Sequence, residues 1–457
     1  MNLAILLAAL LPWAVTPIAA FTRIFLAVSV LSVEMQLVTL LGVGTLYTLP
    51  LTNVVLAVLL IGWQLKSGAP FVKPPALSVF RPPAPWPVVA MLGALVLLLN
   101  TALPLETADP YHLERVAQIE RLGTLAHDPA AAFKVNILGW VYELILADVR
   151  QIPVIGAGLV TLHGVFGLLL YGVTLATVHA ILPLGASQWP MMALLVVPPV
   201  FHQLVLIKND LFVAAPALVA LAWLVTRARS ASWTESLWAG WLAGFVVGYK
   251  LTYLPLALVM AVGIIAAQRG RAWRPLGGLA LGGCLGIIAS GQILTIIENA
   301  RLYGDAFASG PVAEIGNRTT NIAEAAESVV RFGISLVDLG LLTPRWWPGR
   351  GGWGGTFGLP FIWAAAVLIL LCRRSREARW ALTIAAFQFV AFSAVFLDAD
   401  VAHRLALAPA LLVIAVAVHL LDRPDKVVMS ARWALVPVLA LSSAQMLRSA
   451  FLYLTRA

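Results

Sequence analysis

The stretch LALAPALLVIAVAVHLL, residues 405–421, decides the fold class. It holds no Asp, Glu, Lys or Arg, and Arg404 and Asp422 stand at its two ends. A helix that spans the hydrocarbon core needs about 17–25 mostly apolar residues. A barrel strand would alternate apolar and polar side chains over about ten residues, whereas this stretch is continuously apolar. Runs of the same kind recur at 2–20, 24–46, 50–64, 86–103, 154–183, 189–207, 210–226, 236–250, 252–267, 275–297, 358–372, 380–397 and 433–453. The composition agrees. Of 457 residues, 61% are hydrophobic and 11% charged, against about 45–50% and about 25% in soluble domains. A soluble enzyme, a disordered tail and a fibrous repeat are excluded. The expected class is an all-α polytopic integral membrane protein with about 11–14 transmembrane helices by the length rule.

The net charge of +9 reads as loop charge that fixes orientation, not as a nucleic-acid surface. One parity of loops holds Arg23; Lys66, Lys73 and Arg81; Arg227 and Arg229; Arg269, Arg271 and Arg274; Arg373, Arg374, Arg376 and Arg379; and Arg423, Lys426 and Arg432. Against these 16 cations stand four acids, Glu235, Glu377, Asp422 and Asp425; the other parity has 14 cations and 16 acids. The first set is therefore expected to be cytoplasmic, and the long polar loops 104–153 and 298–357 extracytoplasmic. Residues 1–67 read as N-terminal transmembrane helices, 68–87 as a Pro-rich cytoplasmic linker, and 88–457 as the main body. Residues 1–20 lack the basic n-region of a secretory signal and read as a retained helix. Cys284 and Cys372 fall in or at the end of apolar runs, with no metal-ligand or disulfide spacing.

The two loops carry helical patterns of their own. Leu113, Val116, Ile119, Leu122 and Leu125 recur every three residues, with Glu114, Arg115, Glu120 and Arg121 between them. That is an amphipathic surface helix. Ile137–Val149 reads as a second interfacial helix. Residues 322–337 read as a third, with Ile322, Ala326, Val329, Val330 and Ile334 on one face. The loop at Trp346, Trp347 and Trp353 reads as an interfacial belt or a sugar-stacking platform. Asn317-Arg318-Thr319 matches a glycosylation sequon, a match common by chance.

This orientation gathers five polar clusters at the extracytoplasmic surface: Asp109, Tyr111, His112 and Glu114; His202 with Lys208, Asn209 and Asp210; Tyr249 and Lys250; Glu298, Asn299, Arg301, Tyr303 and Asp305; and Asp398, Asp400, His403 and Arg404. Ionisable groups at membrane depth are costly and face a cavity or a partner. Each cluster also has a plainer reading. Asp109 fits a helix N-cap, Asp210 a cap on the next span, Lys250 a snorkelling cation, Arg404 an interface anchor, and Asp398 and Asp400 solvated loop acids. Glu34, inside the second span, fits either a helix partner or a binding surface.

Taken in order, these motifs resemble bacterial GT-C glycosyltransferases, the protein mannosyltransferase and aminoarabinose transferase type. Thr107-Ala-Asp109-Pro-Tyr111-His112-Leu-Glu114-Arg115 looks like their first extracytoplasmic loop, and Lys208-Asn209-Asp210-Leu-Phe212 like their recurring short loop. Gly248-Tyr249-Lys250-Leu-Thr252 resembles a Gly-x-Lys-x-Thr stretch. Glu298-Asn299-Ala-Arg301-Leu-Tyr303-Gly304-Asp305 is similar to an Asn…Tyr-Gly-Asn entry, and His403-Arg404 with Pro409 to an Arg-Tyr-x-x-Pro start. Here Pro110 follows Asp109, and three extra spans precede the first of these loops.

The resemblance implies a GT-C-like bundle in a bacterial inner (cytoplasmic) membrane, with transfer from a polyprenyl-phosphate sugar at the extracytoplasmic face. It makes Asp109 the catalytic base or a partner of a divalent metal, with His112 and Glu114 in reserve as metal ligands or second acid, and leaves the metal dependence open. Lys208, Lys250, Arg301 and Arg404 become donor-phosphate ligands. Tyr111, Asn209, Asp210, Tyr249, Tyr303 and His403 become cavity residues. Expected partners are the lipid-linked sugar, membrane lipids and other membrane proteins. Two rival readings stand beside it: a non-catalytic GT-C-like subunit that binds lipid or a partner protein, and a transporter or flippase. Transporters usually show repeats and midplane sites, and neither is evident here.

Overall fold

The computed structural model describes residues 1–13, 17–67, 90–97, 110–131, 135–136, 139–152, 158–182, 189–205, 207–268, 270–308, 319, 321–337, 357–396, 404–422 and 426–454. Among them the regular structure is helical throughout. The helices are α1 (Asn2–Leu10), α2 (Pro17–Leu41), α3 (Leu49–Lys66), α4 (Pro110–Leu122), α5 (Val141–Arg150), α6 (Leu159–Ile181), α7 (Met192–Leu195), α8 (Pro198–Val205) and α9 (Asp210–Arg227). There follow α10 (Trp233–Tyr249), α11 (Leu254–Gln268), α12 (Trp273–Ala289), α13 (Gln292–Tyr303), α14 (Ile322–Val337), α15 (Gly358–Leu371), α16 (Arg376–Val395), α17 (Leu407–Leu420) and α18 (Lys426–Leu454). Seven helices among the described residues are long and apolar enough to cross a bilayer. The pair α12–α13, bent by 49°, makes an eighth if it is one span. The chain is a multi-pass, all-α integral membrane protein.

The bundle is built around α9 and α17. Almost every side chain of both is buried, as expected of helices apolar on all sides. By contrast α3, α11 and α18 leave Leu59, Leu254 and Val436 exposed, the surface that lipid covers. The tightest packing lies between α10 and α12. Gly240, Gly244 and Gly248 of one helix face Gly278, Gly282 and Gly286 of the other, and a Cβ at Gly240, Gly244, Gly282 or Gly286 would overlap the opposite backbone. Residue numbers rise together along the contact, so the two helices are parallel. Small residues at every fourth position let transmembrane backbones approach this closely.

Several expectations need correction. The predicted span at 189–207 is broken: α7 ends at Leu195 and α8 restarts at Pro198. Pro198 and Pro199 cannot donate, and they disfavour helix in the residue before them. Arg23, expected in a cytoplasmic turn, lies inside α2. Span 275–297 is interrupted at Gly291, whose φ of +83° places it in the left-handed region and whose missing Cβ makes room for the Trp140 ring. The predicted interfacial helix at 137–149 is α5, and its residues 141–148 are all buried; it is a core element. The amphipathic pattern at 322–337 does form a helix, α14, which packs on α16 through Ser328 and Phe332 and exposes Ile322, Val330 and Ile334. The 68–87 linker and the loop of Trp346, Trp347 and Trp353 lie outside the described residues. So do Asp398, Asp400, Asn317 and Arg318.

The N-terminal helices dock directly on the body. The Asp148 carboxylate of α5 accepts hydrogen bonds from the Asn2 and Leu3 backbone amides at 2.9 Å, so α1 starts on an anion. Asn53 of α3 donates to Asn2 and hydrogen-bonds Glu34, which gives that intramembrane acid a helix partner. Gln36 of α2 reaches the Ile288 carbonyl of α12.

Candidate functional site

One face of the bundle collects α4, α5, the start of α9, the end of α10, the Gly291 bend and Arg404. Helix α4 is tied to the α2–α3 turn, where Leu46 N–H donates to Gly123 and Tyr47 to the Glu120 carbonyl. The pattern on α4 is not simply apolar in and polar out. Val116 and Ile119 are buried, but so are His112, Arg115 and Gln118. Arg115, expected on the solvated side, points inward, while Glu114 points out. The inward polar face of α4 meets α5 and the α12–α13 bend.

At the centre, His112 Nδ1 faces Glu143 Oε1 of α5, and both side chains are buried. The second Glu143 oxygen accepts from the Tyr249 hydroxyl at 3.4 Å, and that hydroxyl accepts from Asn209 at 2.8 Å. Among the described residues, His112 Nε2 and two guanidinium nitrogens of Arg115, Nε and Nη2, are buried without a hydrogen-bond partner. Arg115 spends its remaining group on Gln118, at 3.0 Å. Burial pulls the Arg115 guanidinium down to about 10, with Glu143 and then Glu298 among the groups holding it up. It is thus a cation at neutral pH with donors to spare. His127 lies beside it, its amide donating to Glu298 at 3.2 Å. Burial first, and the Arg115 charge second, push the His127 imidazole down to about 3, so it stays neutral.

A second cluster adjoins the first through Asn209 and Tyr249. Asp210, buried at the first turn of α9, receives Lys250 Nζ at 2.5 Å, Arg404 Nε at 2.6 Å and the Gln203 amide at 3.1 Å. Gln203 in turn takes His163 at its carbonyl, and His163 meets Tyr142. Lys208 is buried close by and attracted to Asp210. The plain readings of these residues are overturned. Asp210 makes no cap bond to α9, and Lys250 and Arg404 turn inward instead of snorkelling or anchoring.

The other candidate residues divide. The Tyr111 ring lies against His112, tilted by 35° with ring centroids 3.9 Å apart. Tyr303 accepts from Asn136 at 3.4 Å at the edge of the Arg115 cluster. Arg301 pairs with Glu298 one turn away, at 2.6 Å, and is largely exposed; it is not drawn into the phosphate cluster expected of it. Asp109 and His403 lie outside the described residues. No group of three or more His, Cys, Asp or Glu close enough to hold a metal occurs among the described residues.

Glu143, Arg115, His127, Gln203 and His163 extend the site beyond the residues expected from the sequence. Glu143 had a signal: it is a lone carboxylate between Tyr142 and Leu144 in an apolar run, and an acid in such a run marks function by default. Comparison of the chain with family models, with curated proteins and with solved structures gives no match.

Proposed function

We propose that the chain is a GT-C-type glycosyltransferase that takes a sugar from a polyprenyl-phosphate donor at the extracytoplasmic face of a bacterial inner membrane. The observation that carries the reading is the buried His112–Glu143 pair set beside unspent cationic donors. Glu143 orients the imidazole and favours the tautomer with hydrogen on Nδ1, which leaves the Nε2 lone pair as a base. The acceptor hydroxyl gives its proton to Nε2 as its oxygen bonds to the anomeric carbon. The bond from that carbon to the phosphate oxygen breaks, and polyprenyl phosphate leaves with the electron pair. Arg115 and Lys208 stabilise the charge that grows on that phosphate. Asp109, three residues before His112 in the sequence, holds the acid position of the resembled family.

Purified protein supplied with labelled polyprenyl-phosphate sugars tests this. Transfer is expected, and His112→Gln is expected to lower it by about 10²–10⁴, the usual worth of a positioned base, with donor binding retained. Wild-type rates in His112→Gln would remove the base from the scheme. Absence of transfer from every donor would overturn the reading itself.

A second reading is favoured by Asp210. Its carboxylate occupies Lys250 and Arg404, two of the four expected phosphate ligands, and that arrangement suits a non-catalytic GT-C-like subunit that binds lipid or a partner protein. Under it, donor lipid binds and no sugar is released.

A further inference from the structure

At the opposite end of the bundle, α11 and α16 enclose a groove of about 500 Å³. Arg229, Arg376 and Arg379 stand at its mouth, and Leu258, Val262, Ile384 and Phe387 line its length. The spacing of Arg376 and Phe387 on α16 gives a length of roughly 16 Å at helical rise. Gly263 leaves room for the Trp380 indole, over which the Arg376 guanidinium sits at 5.9 Å. The stability of α16 itself does not ask for these cations, although Arg379 also donates to the Cys372 and Arg373 carbonyls after α15, at 3.3 and 3.4 Å. Arg376 and Arg379 occupy the first turn of α16, where the helix dipole disfavours positive charge. Arg376 and Arg229 also repel each other, and Glu377 offsets only part of that repulsion. Loop orientation accounts for basic residues at this end, but not for an apolar groove that starts among them. Leu258, Val262 and Phe387 stay about half exposed along it.

We infer that this groove binds an anionic phospholipid, the headgroup phosphate on Arg229, Arg376 and Arg379 and an acyl chain on the apolar floor between α11 and α16. The charge complements a phosphate that carries no cation of its own, and basic pockets between spans at this membrane surface suit such headgroups. The site is remote from His112 and does not depend on the transferase reading.

The probe is phosphatidylglycerol, added to detergent-purified full-length protein and counted as retained adducts by native mass spectrometry, with phosphatidylcholine and glycerol phosphate in parallel arms. Phosphatidylglycerol is expected to bind at least about tenfold more tightly than phosphatidylcholine, and the pair Arg376→Gln with Arg379→Gln to remove about tenfold of that affinity, the scale of one charge-assisted bond. Val262→Trp, which fills the groove and leaves every charge in place, is expected to weaken binding as well. The pair Arg373→Gln with Arg374→Gln, equal in charge but off the groove, should change nothing. Equal binding of the two lipids, or equal loss in the off-groove pair, overturns the proposal. So does glycerol phosphate matching the lipid, or wild-type binding by Val262→Trp.

Discussion

Asp210 shows how much one carboxylate can organise. Buried and met by two cations and an amide, it is satisfied only while all three segments stay together. Asp210→Asn leaves Lys250 and Arg404 facing each other, and removing one partner of a buried pair costs about 3–5 kcal/mol. A marked loss of thermal stability in detergent is expected. The triple replacement Asp210→Leu, Lys250→Met, Arg404→Met should recover much of it, because apolar residues of similar volume often match or exceed a buried ion pair. If the triple variant is no more stable than Asp210→Asn, the cluster is not the lock described. His127 makes a second residue-scale case. Its folded-state value near 3 lies below the ordinary value near 6.5, so between those limits the unfolded chain binds more protons. Stability therefore rises with pH across this window and falls on acidification from pH 7 to 5. His127→Asn should flatten that slope in a melting series; an unchanged slope would assign it to another group.

At the scale of elements, the α10–α12 seam is the most constrained contact. Gly244→Ala forces a methyl group into the Gly283 backbone, and overpacking costs about 1–3 kcal/mol or more when backbone must shift. Gly62→Ala, with open space around it, should be neutral or stabilising by up to about 1 kcal/mol. Equal melting temperatures for the two variants would deny the seam its role. The elements also mark what a sequence can reveal. Helices α9, α11 and α16 stand within a few residues of their predicted spans because hydropathy is local. Residues 137–149 read as an interfacial helix because they follow the surface helix in a polar loop, and only the tertiary neighbours of α5 show that Glu143 and Asp148 are satisfied inside. The inward turn of Arg115 is hidden for the same reason: Glu143, Tyr249 and Glu298, which face it, come from helices far along the chain.

For the whole molecule, the candidate site lies at one end and the arginine groove at the other. With Cys284 and Cys372 replaced by alanine, Glu114→Cys and Arg301→Cys should react with an impermeant thiol reagent from outside the cell, and Arg373→Cys only after permeabilisation. Reaction of Glu114→Cys from the cytoplasmic side would invert the orientation and remove the transferase proposal. The alternation of spans sets these two ends apart in the sequence, and the loop charges give the expected orientation. The His112–Glu143 contact, between residues 31 apart, is not legible there, because no local pattern encodes which buried acid meets which base.

The Asp210 cluster also sets a timetable for biosynthesis. Lys250 lies 40 residues after Asp210 and Arg404 lies 194 residues after it. At about 5–20 residues per second of translation, the lysine emerges from the ribosome about 2–8 s after the aspartate, and the arginine about 10–40 s after it. Helix α9 therefore enters the insertion machinery with only Lys208 beside its carboxylate, gains Lys250 from the end of α10, and waits through six more of the described helices for Arg404. A nascent chain halted before residue 404 holds Asp210 without that last partner, the state that quality-control proteases and membrane chaperones would meet first.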